Sequence, residues 1–145
     1  VSFTTLSIRS DTPEDKIRDE ARRFNQLLEL LLEEAILRGE DYGIEFKPEQ
    51  YQFVRYENNK WVALSDRTLR LRTLPEDMEM DLAIENTDID IEPDTGEGSL
   101  KPQVFVLSSG EITPEFNVAF YYPTVSTRYI VSGRFDGQHS AEIEE

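Results

Sequence analysis

The side chains able to do chemistry are crowded into one stretch. Between Glu76 and Glu97 the chain carries ten acidic residues and no basic one. Within that tract Asp88, Asp90, Glu92 and Asp94 fall at every second position. Oxygen ligands spaced closely on a loop can hold calcium, so these four are the weak metal candidates. The tract lacks the glycine and distal glutamate of an EF-hand loop. If residues 88–94 are extended, their acids project to one side and repel one another. We therefore read the tract as a solvated or partner-facing acidic flap.

Other chemistries find less support. Paired carboxylates hydrolyse glycosides when their spacing is right. The working acid also needs burial or coupling to raise its pKa, and the sequence singles out no buried acid in a cleft. Leu107-Ser108-Ser109-Gly110-Glu111 does not match the G-x-S-x-G elbow. Ser108 and Ser109 read as turn residues whose hydroxyls bond local backbone. Gly96 and Gly98 flank Glu97, which would oppose a phosphate, and no Lys-Ser/Thr pair follows. Cysteine is absent, which excludes disulfides, thiolate zinc sites and cysteine catalysis. His139 is the single histidine, so a Ser-His-Asp triad or multi-histidine metal site is hard to build. It is expected on the surface of a terminal strand or tail. We assign no catalytic residue and no cofactor.

Three residues stand out for binding. Arg67, Arg70 and Arg72 form the densest basic group in an acidic chain. They either offset local negative charge or bind an acidic neighbouring subunit. Trp61 reads as a core or sheet-edge anchor, with Tyr51, Phe53 and Tyr56 as an aromatic cluster around it. Met78 and Met80 lie at strand spacing and need no cofactor.

Charge narrows the partners. Thirty acidic residues against fifteen basic ones give a formal charge of -15. That sign repels phosphate backbones and anionic membrane surfaces, so nucleic acid is not an expected partner. With 38% hydrophobic and 31% charged residues in 145, the chain suits one soluble domain with a sizeable core. It has no apolar run near the about 20 residues of a spanning helix. It opens at Val1 without a basic, apolar signal, so any membrane anchor is expected outside these residues.

One long element must position the rest. Thr12-Pro13-Glu14-Asp15 reads as a helix start, with Thr12 as cap, Pro13 at the first helical position and Asp15 closing a reciprocal cap. Ile17, Ala21, Phe24, Leu28, Leu31 and Ala35 then follow at alternating gaps of four and three, which places them on one face. Gly39 is the C-terminal cap. The expected organisation is an N-terminal segment 1–12, an amphipathic helix 13–39 and a β-rich head 40–145, with 13–145 as one domain.

After Gly39 the period becomes two. Tyr42, Ile44 and Phe46 alternate, then Tyr51 and Phe53, then Trp61 and Ala63, with turns at Pro48-Glu49 and Glu57-Asn58-Asn59. Further strands are expected at Leu69 and Leu71, at Met78–Ile84, at Gln103–Leu107 as a central strand, and at Phe116–Tyr122. Shorter ones are expected at Tyr129–Phe135 and Ala141–Ile143. Residues 86–101 read as a loop or irregular hairpin. The fold class is α+β, a long helix packed against two small antiparallel sheets.

Two blocks carry a resemblance. Glu20-Ala21-Arg22-Arg23-Phe24, Leu27-Leu28, Glu33-Glu34-Ala35, Gly39 and Tyr42-Gly43-Ile44 form the first, continued by Tyr51-Gln52-Phe53 and Lys60-Trp61. Pro102-Gln103-Val104-Phe105-Val106-Leu107-Ser108-Ser109-Gly110-Glu111-Ile112-Thr113-Pro114 forms the second. Together they resemble the H-type minor pseudopilins of type II secretion. Family members commonly place an aromatic directly after the proline, whereas here Glu115 stands between Pro114 and Phe116.

The resemblance implies a non-catalytic structural subunit at or near the tip of a short pilus-like filament. It implies a head in the bacterial periplasm and an N-terminal anchor helix in the inner membrane. Its partners would be other minor pseudopilins, the major pseudopilin, secreted cargo or the outer-membrane channel. On this reading Ile17, Ala21 and Phe24 lie where neighbouring helices approach, while Leu28, Leu31 and Ala35 pack the head. Ser108, Ser109, Gly110 and Pro114 are structural, and the acidic tract carries system-specific contacts through Asp88, Asp90 and Glu92. The alternative is another type IV pilin-like minor subunit, used for pilus assembly, adhesion or DNA uptake.

Overall fold

The computed structural model describes residues 12–94, 96 and 98–144. The expected N-terminal segment, Thr12 excepted, lies outside the described residues.

Helix α1 (Pro13–Arg38) starts and stops on local signals. Thr12 is extended, and its Oγ1 accepts from the Asp15 N–H at 3.1 Å. The Thr12 N–H reaches back to Asp15 Oδ2 at 3.4 Å, so two orphan donors of the first turn are satisfied reciprocally. At the other end Gly39 takes a left-handed φ of 65°, where a side chain would be strained, and returns its N–H to Ala35. Between these caps Ile17, Ala21, Phe24, Leu28, Leu31 and Ala35 are fully buried.

Two antiparallel sheets cover that stripe. The first holds β1 (Tyr42–Lys47), β2 (Gln50–Glu57), β3 (Lys60–Ala63), β4 (Arg72–Thr73), β7 (Val104–Val106) and β8 (Ile112–Thr113). Its order is β3-β2-β1-β7-β8, with β4 paired to β2 at Gln50 and Tyr51. The second holds β5 (Glu79–Ile84), β6 (Thr87–Ile89), β9 (Phe116–Tyr121), β10 (Arg128–Gly133) and β11 (His139–Glu144), in the order β11-β10-β9-β5-β6. The architecture is one helix against two antiparallel sheets, the α+β class read from the sequence.

Phe24 joins the three layers. Its ring lies 4.9 Å edge-on to Tyr51 and 5.7 Å from Phe46 in the first sheet, and 5.9 Å from Phe120 and 6.4 Å from Phe116 in the second. Edge-on and tilted rings at these separations add to the stabilisation from burial alone. Phe116 in turn packs over Gly133, its partner across β9 and β10, where any side chain would overlap the ring. The register of β9 is thereby set by Phe116 despite the intervening Glu115.

Two local expectations are corrected, and a third is narrowed. Leu69 and Leu71 do not form a strand. Asp66 Oδ1 accepts from the N–H groups of Thr68 and Leu69 at 2.8 and 2.6 Å, which turns the chain, and pairing begins only at Arg72. Residues 86–101, expected as a loop or irregular hairpin, open as the second arm of a hairpin. Glu85 and Asn86, both at positive φ, make a tight turn that pairs β6 back onto β5, with Leu82 opposite Ile89. The aromatic cluster expected around Trp61 is two clusters on opposite faces of the first sheet. Tyr51 and Phe53 face the helix, whereas Trp61 packs 5.0 Å from Tyr56 and 5.6 Å from Phe105 on the far side.

Candidate functional site

The sheet alternation that buries Met80 and Leu82 turns Glu79 and Asp81 of β5 outward. Tyr121 of β9 stands between them, its hydroxyl 3.0 Å from Glu79 Oε1 and 3.2 Å from Asp81 Oδ1. Arg128 pairs with Asp81 and Glu144 at 3.2 and 3.1 Å and covers the Tyr121 ring at 4.6 Å. Partial burial, then the two carboxylates, pushes the Tyr121 phenol up to about 12. Arg128 compensates part of this acidic surface.

The next part is not compensated in this way. Asp88, Asp90, Glu92 and Asp94 are all exposed, and among the described residues none of them forms an ion pair. Asp94 Oδ1 accepts from the Gly96 N–H at 3.0 Å, a local turn bond. Among the described residues no three carboxylates or histidines converge as a metal would require. Asp88 and Asp90 instead line an open groove of about 1560 Å³, which runs past Met80 and Tyr122 to Pro13 and Lys16 at the start of α1.

Arg67, Arg70 and Arg72 lie on the turn and short strand that follow Asp66. Arg72 Nη2 donates to the Thr68 carbonyl at 2.6 Å and Arg70 Nη1 to the Leu71 carbonyl at 3.5 Å. Among the described residues none of the three is ion-paired. The Arg72 guanidinium is pulled down by its burial and then by the charges of Arg70 and Arg23 beside it.

The contact role expected of Ile17, Ala21 and Phe24 fails on burial. All three have zero exposure and face the sheets, as do Leu28, Leu31 and Ala35, so the whole stripe is core. The helix side chains left outside are different ones, with Ile36 at 52% and Leu37 at 82% exposure. Ser108 and Ser109 sit in the β7–β8 turn. The Ser108 N–H donates to Asp41 Oδ1 at 2.9 Å, the Ser109 hydroxyl bonds the Glu111 carboxylate, and Gly110 holds a φ of 97°. Pro114 lies between β8 and β9. Trp61 is half-buried on edge strand β3 and Gly39 caps α1.

Two buried acids escaped the sequence reading. Glu20 is 3% exposed, with Tyr51 donating to its Oε2 at 2.8 Å and Arg23 to its Oε1 at 2.6 Å. Glu45 is 2% exposed and accepts from Gln52 and the Lys101 N–H at 2.8 and 2.7 Å. Because Glu45 pairs across the sheet with Gln52, it lies on the face opposite Tyr51, so the first sheet separates the two acids. They cannot act as a hydrolytic pair, and each is held as a hydrogen-bond acceptor. His139 is likewise not a free surface histidine. Its Nδ1 lies 2.6 Å from Asn25 Oδ1 and its Nε2 2.6 Å from Glu29 Oε1, which ties β11 to α1. Only Glu20 carried a signal in the sequence, since it adjoins the buried stripe.

Gln103 explains part of the second resembling block. Its amide stands in for a strand residue, accepting from the Phe46 N–H at 2.8 Å and donating to the Phe46 carbonyl at 3.0 Å. It thus extends the β1–β7 pairing past the end of β7.

The chain is similar to known proteins over most of its length. The family model described as Type II transport protein GspH matches residues 20–136. Type II secretion system protein H of Pseudomonas aeruginosa is 28% identical over 121 residues, covering 79% of this chain and 69% of that protein. The Escherichia coli protein of the same description is 28% identical over 110 residues, covering 73% of this chain and 61% of that one. The crystal structure of the minor pseudopilin EpsH from the type II secretion system of Vibrio cholerae superposes with a TM-score of 0.76 at 29% identity, covering 90% of this chain and 96% of that one. No helix among the described residues is long and apolar enough to cross a membrane. The family model over residues 20–136 and a fold matched over nearly the whole chain leave one conclusion: the chain belongs to the GspH family of type II secretion minor pseudopilins, structural subunits of the secretion pseudopilus.

Proposed function

We propose that this chain is the periplasmic head of a pseudopilus-tip subunit, held before assembly in the inner membrane by an N-terminal anchor helix. The curated relatives extend beyond the length this chain spans, which leaves room for such an anchor. Its neighbours are the heads of the other minor pseudopilins, with the major pseudopilin below and the cargo or outer-membrane channel beyond.

The observation that carries the contact assignment is the uncompensated charge of Asp88, Asp90 and Glu92 on and after β6. Exposed like charges on a short edge strand have no role in the core and repel one another, so they favour a basic partner surface. Arg67, Arg70 and Arg72 supply the opposite sign on the other sheet. The testing experiment is pairwise binding of this head to each of the other minor pseudopilin heads, with the contact surface mapped. Binding that maps to residues 88–92, and weakens when Asp88, Asp90 and Glu92 are changed to Lys, supports the assignment. Unchanged affinity of that variant would remove it.

A further inference from the structure

We propose that Arg23, Arg70 and Arg72 together form a carboxylate-receiving surface for an acidic segment of a neighbouring protein. It deepens the partner-contact reading of the basic group above and adds a helix residue that the sequence did not associate with it.

The three guanidinium groups come from separate elements. Arg72 opposes Tyr51 where β4 pairs with β2. Tyr51 reaches Glu20 of α1 through its hydroxyl, and Arg23 one helical turn further on binds the same carboxylate. The buried Glu20–Tyr51 bond therefore draws the helix arginine to the edge that carries β4. Glu20 is the single carboxylate with which these three form an ion pair among the described residues, and that pair is made by Arg23 alone. It is already occupied by Tyr51 and Arg23, both at short distance.

The cluster is left short of acceptors. The Nε atoms of Arg23 and Arg72 are buried and have no hydrogen-bond partner. Buried donors of this kind are rare and call for an explanation, and among the described residues the Nε of Arg55 is the one other of this kind on a side chain. The charges of Arg70 and Arg23 act on Arg72 in the direction that an added anion would relieve. This occurs in a chain with twice as many acidic as basic residues, where a nearby carboxylate would be the ordinary outcome. The exposed ends of forked guanidinium groups match the planar carboxylate of Asp or Glu. The basic group spans one short turn with the strand that follows it and one helix position, and the acidic surface around it opposes a polyanion that must run along many phosphates.

The test uses the 145-residue chain with its arginine side chains isotopically labelled. At low ionic strength an Ac-Gly-Glu-Glu-Gly-Glu-Glu-amide peptide is titrated against the Nε–Hε resonances. Saturable shifts of Arg23, Arg70 and Arg72, with affinity reduced by about tenfold or more in the R70Q/R72Q double variant, support the surface. Both substituted residues are peripheral to the core, and an unchanged thermal midpoint shows that the variant is folded. No saturable shift overturns the proposal. An equal or stronger response to inorganic phosphate at matched ionic strength also overturns it, because the site would then be a general anion site. Failure of the chain to support secretion would count against the pseudopilus reading and leave this result standing.

Discussion

The Tyr51 hydroxyl donates to Glu20 Oε2 at 2.8 Å, and both side chains are buried between α1 and β2. A carboxylate taken out of water is tolerated only with such donors, and Arg23 supplies the second. Tyr51→Phe leaves the ring packing intact and removes one of them. We expect a loss of about 1–3 kcal/mol in urea unfolding. A double-mutant cycle with Glu20→Gln should return a coupling of at least about 0.5 kcal/mol, and additive single effects would contradict the bond's role.

Phe24 touches aromatic rings of both sheets, so its removal opens a place where all three layers meet. Phe24→Ala should cost about 3–5 kcal/mol, with broadened side-chain resonances on β2 and β9. Leu37, at 82% exposure on the same helix, provides the contrast. Its change to Ala should stay within about 0.5 kcal/mol. Similar costs for the two would refute the inward orientation of Phe24.

Gly133 needs its missing side chain because Phe116 lies across it. Gly133→Ala should destabilise by about 1–3 kcal/mol through displacement of that ring. Restoring space with a second change, Phe116→Leu, should recover part of the loss. Lack of any recovery in thermal unfolding would show that the clash is elsewhere.

Alkaline pH tests the phenols. Burial and then the Glu20 charge push Tyr51 far above the ordinary tyrosine value, and burial with Glu79 and Asp81 raises Tyr121 to about 12. Between pH about 10 and about 12 the unfolded chain has therefore released protons that the folded chain keeps. Stability is full below that window and falls as pH rises through it. Ultraviolet titration should show Tyr51 ionising only as the fold is lost. Its ionisation near pH 10 in the folded chain would contradict the buried pair.

Local signals explain what the sequence disclosed. The Thr12–Asp15 cap, Gly39 and the four-three spacing of apolar residues are written within a few positions of one another, and they bound α1 at Pro13–Arg38. Strand alternation was equally readable at Tyr42–Phe46 and Phe116–Tyr121. Contacts between distant positions were not. Glu20 reads as one more acid beside a helix stripe until Tyr51 faces it, and His139 reads as a tail residue until Asn25 and Glu29 receive it. Leu69 and Leu71 alternate like a strand, but two backbone donors prefer Asp66. The family resemblance placed Ile17, Ala21 and Phe24 at a helix contact, whereas the sheets of this head extend far enough to cover them.

Secretion in a bacterium deleted for its own copy of this gene tests the central claim most directly. The account predicts that the deletion abolishes release of type II substrates and that the full-length gene restores it. A version with Asp88, Asp90 and Glu92 changed to Lys should fold normally, since all three are exposed, yet fail to restore release. Undiminished secretion in the deleted strain would contradict the account.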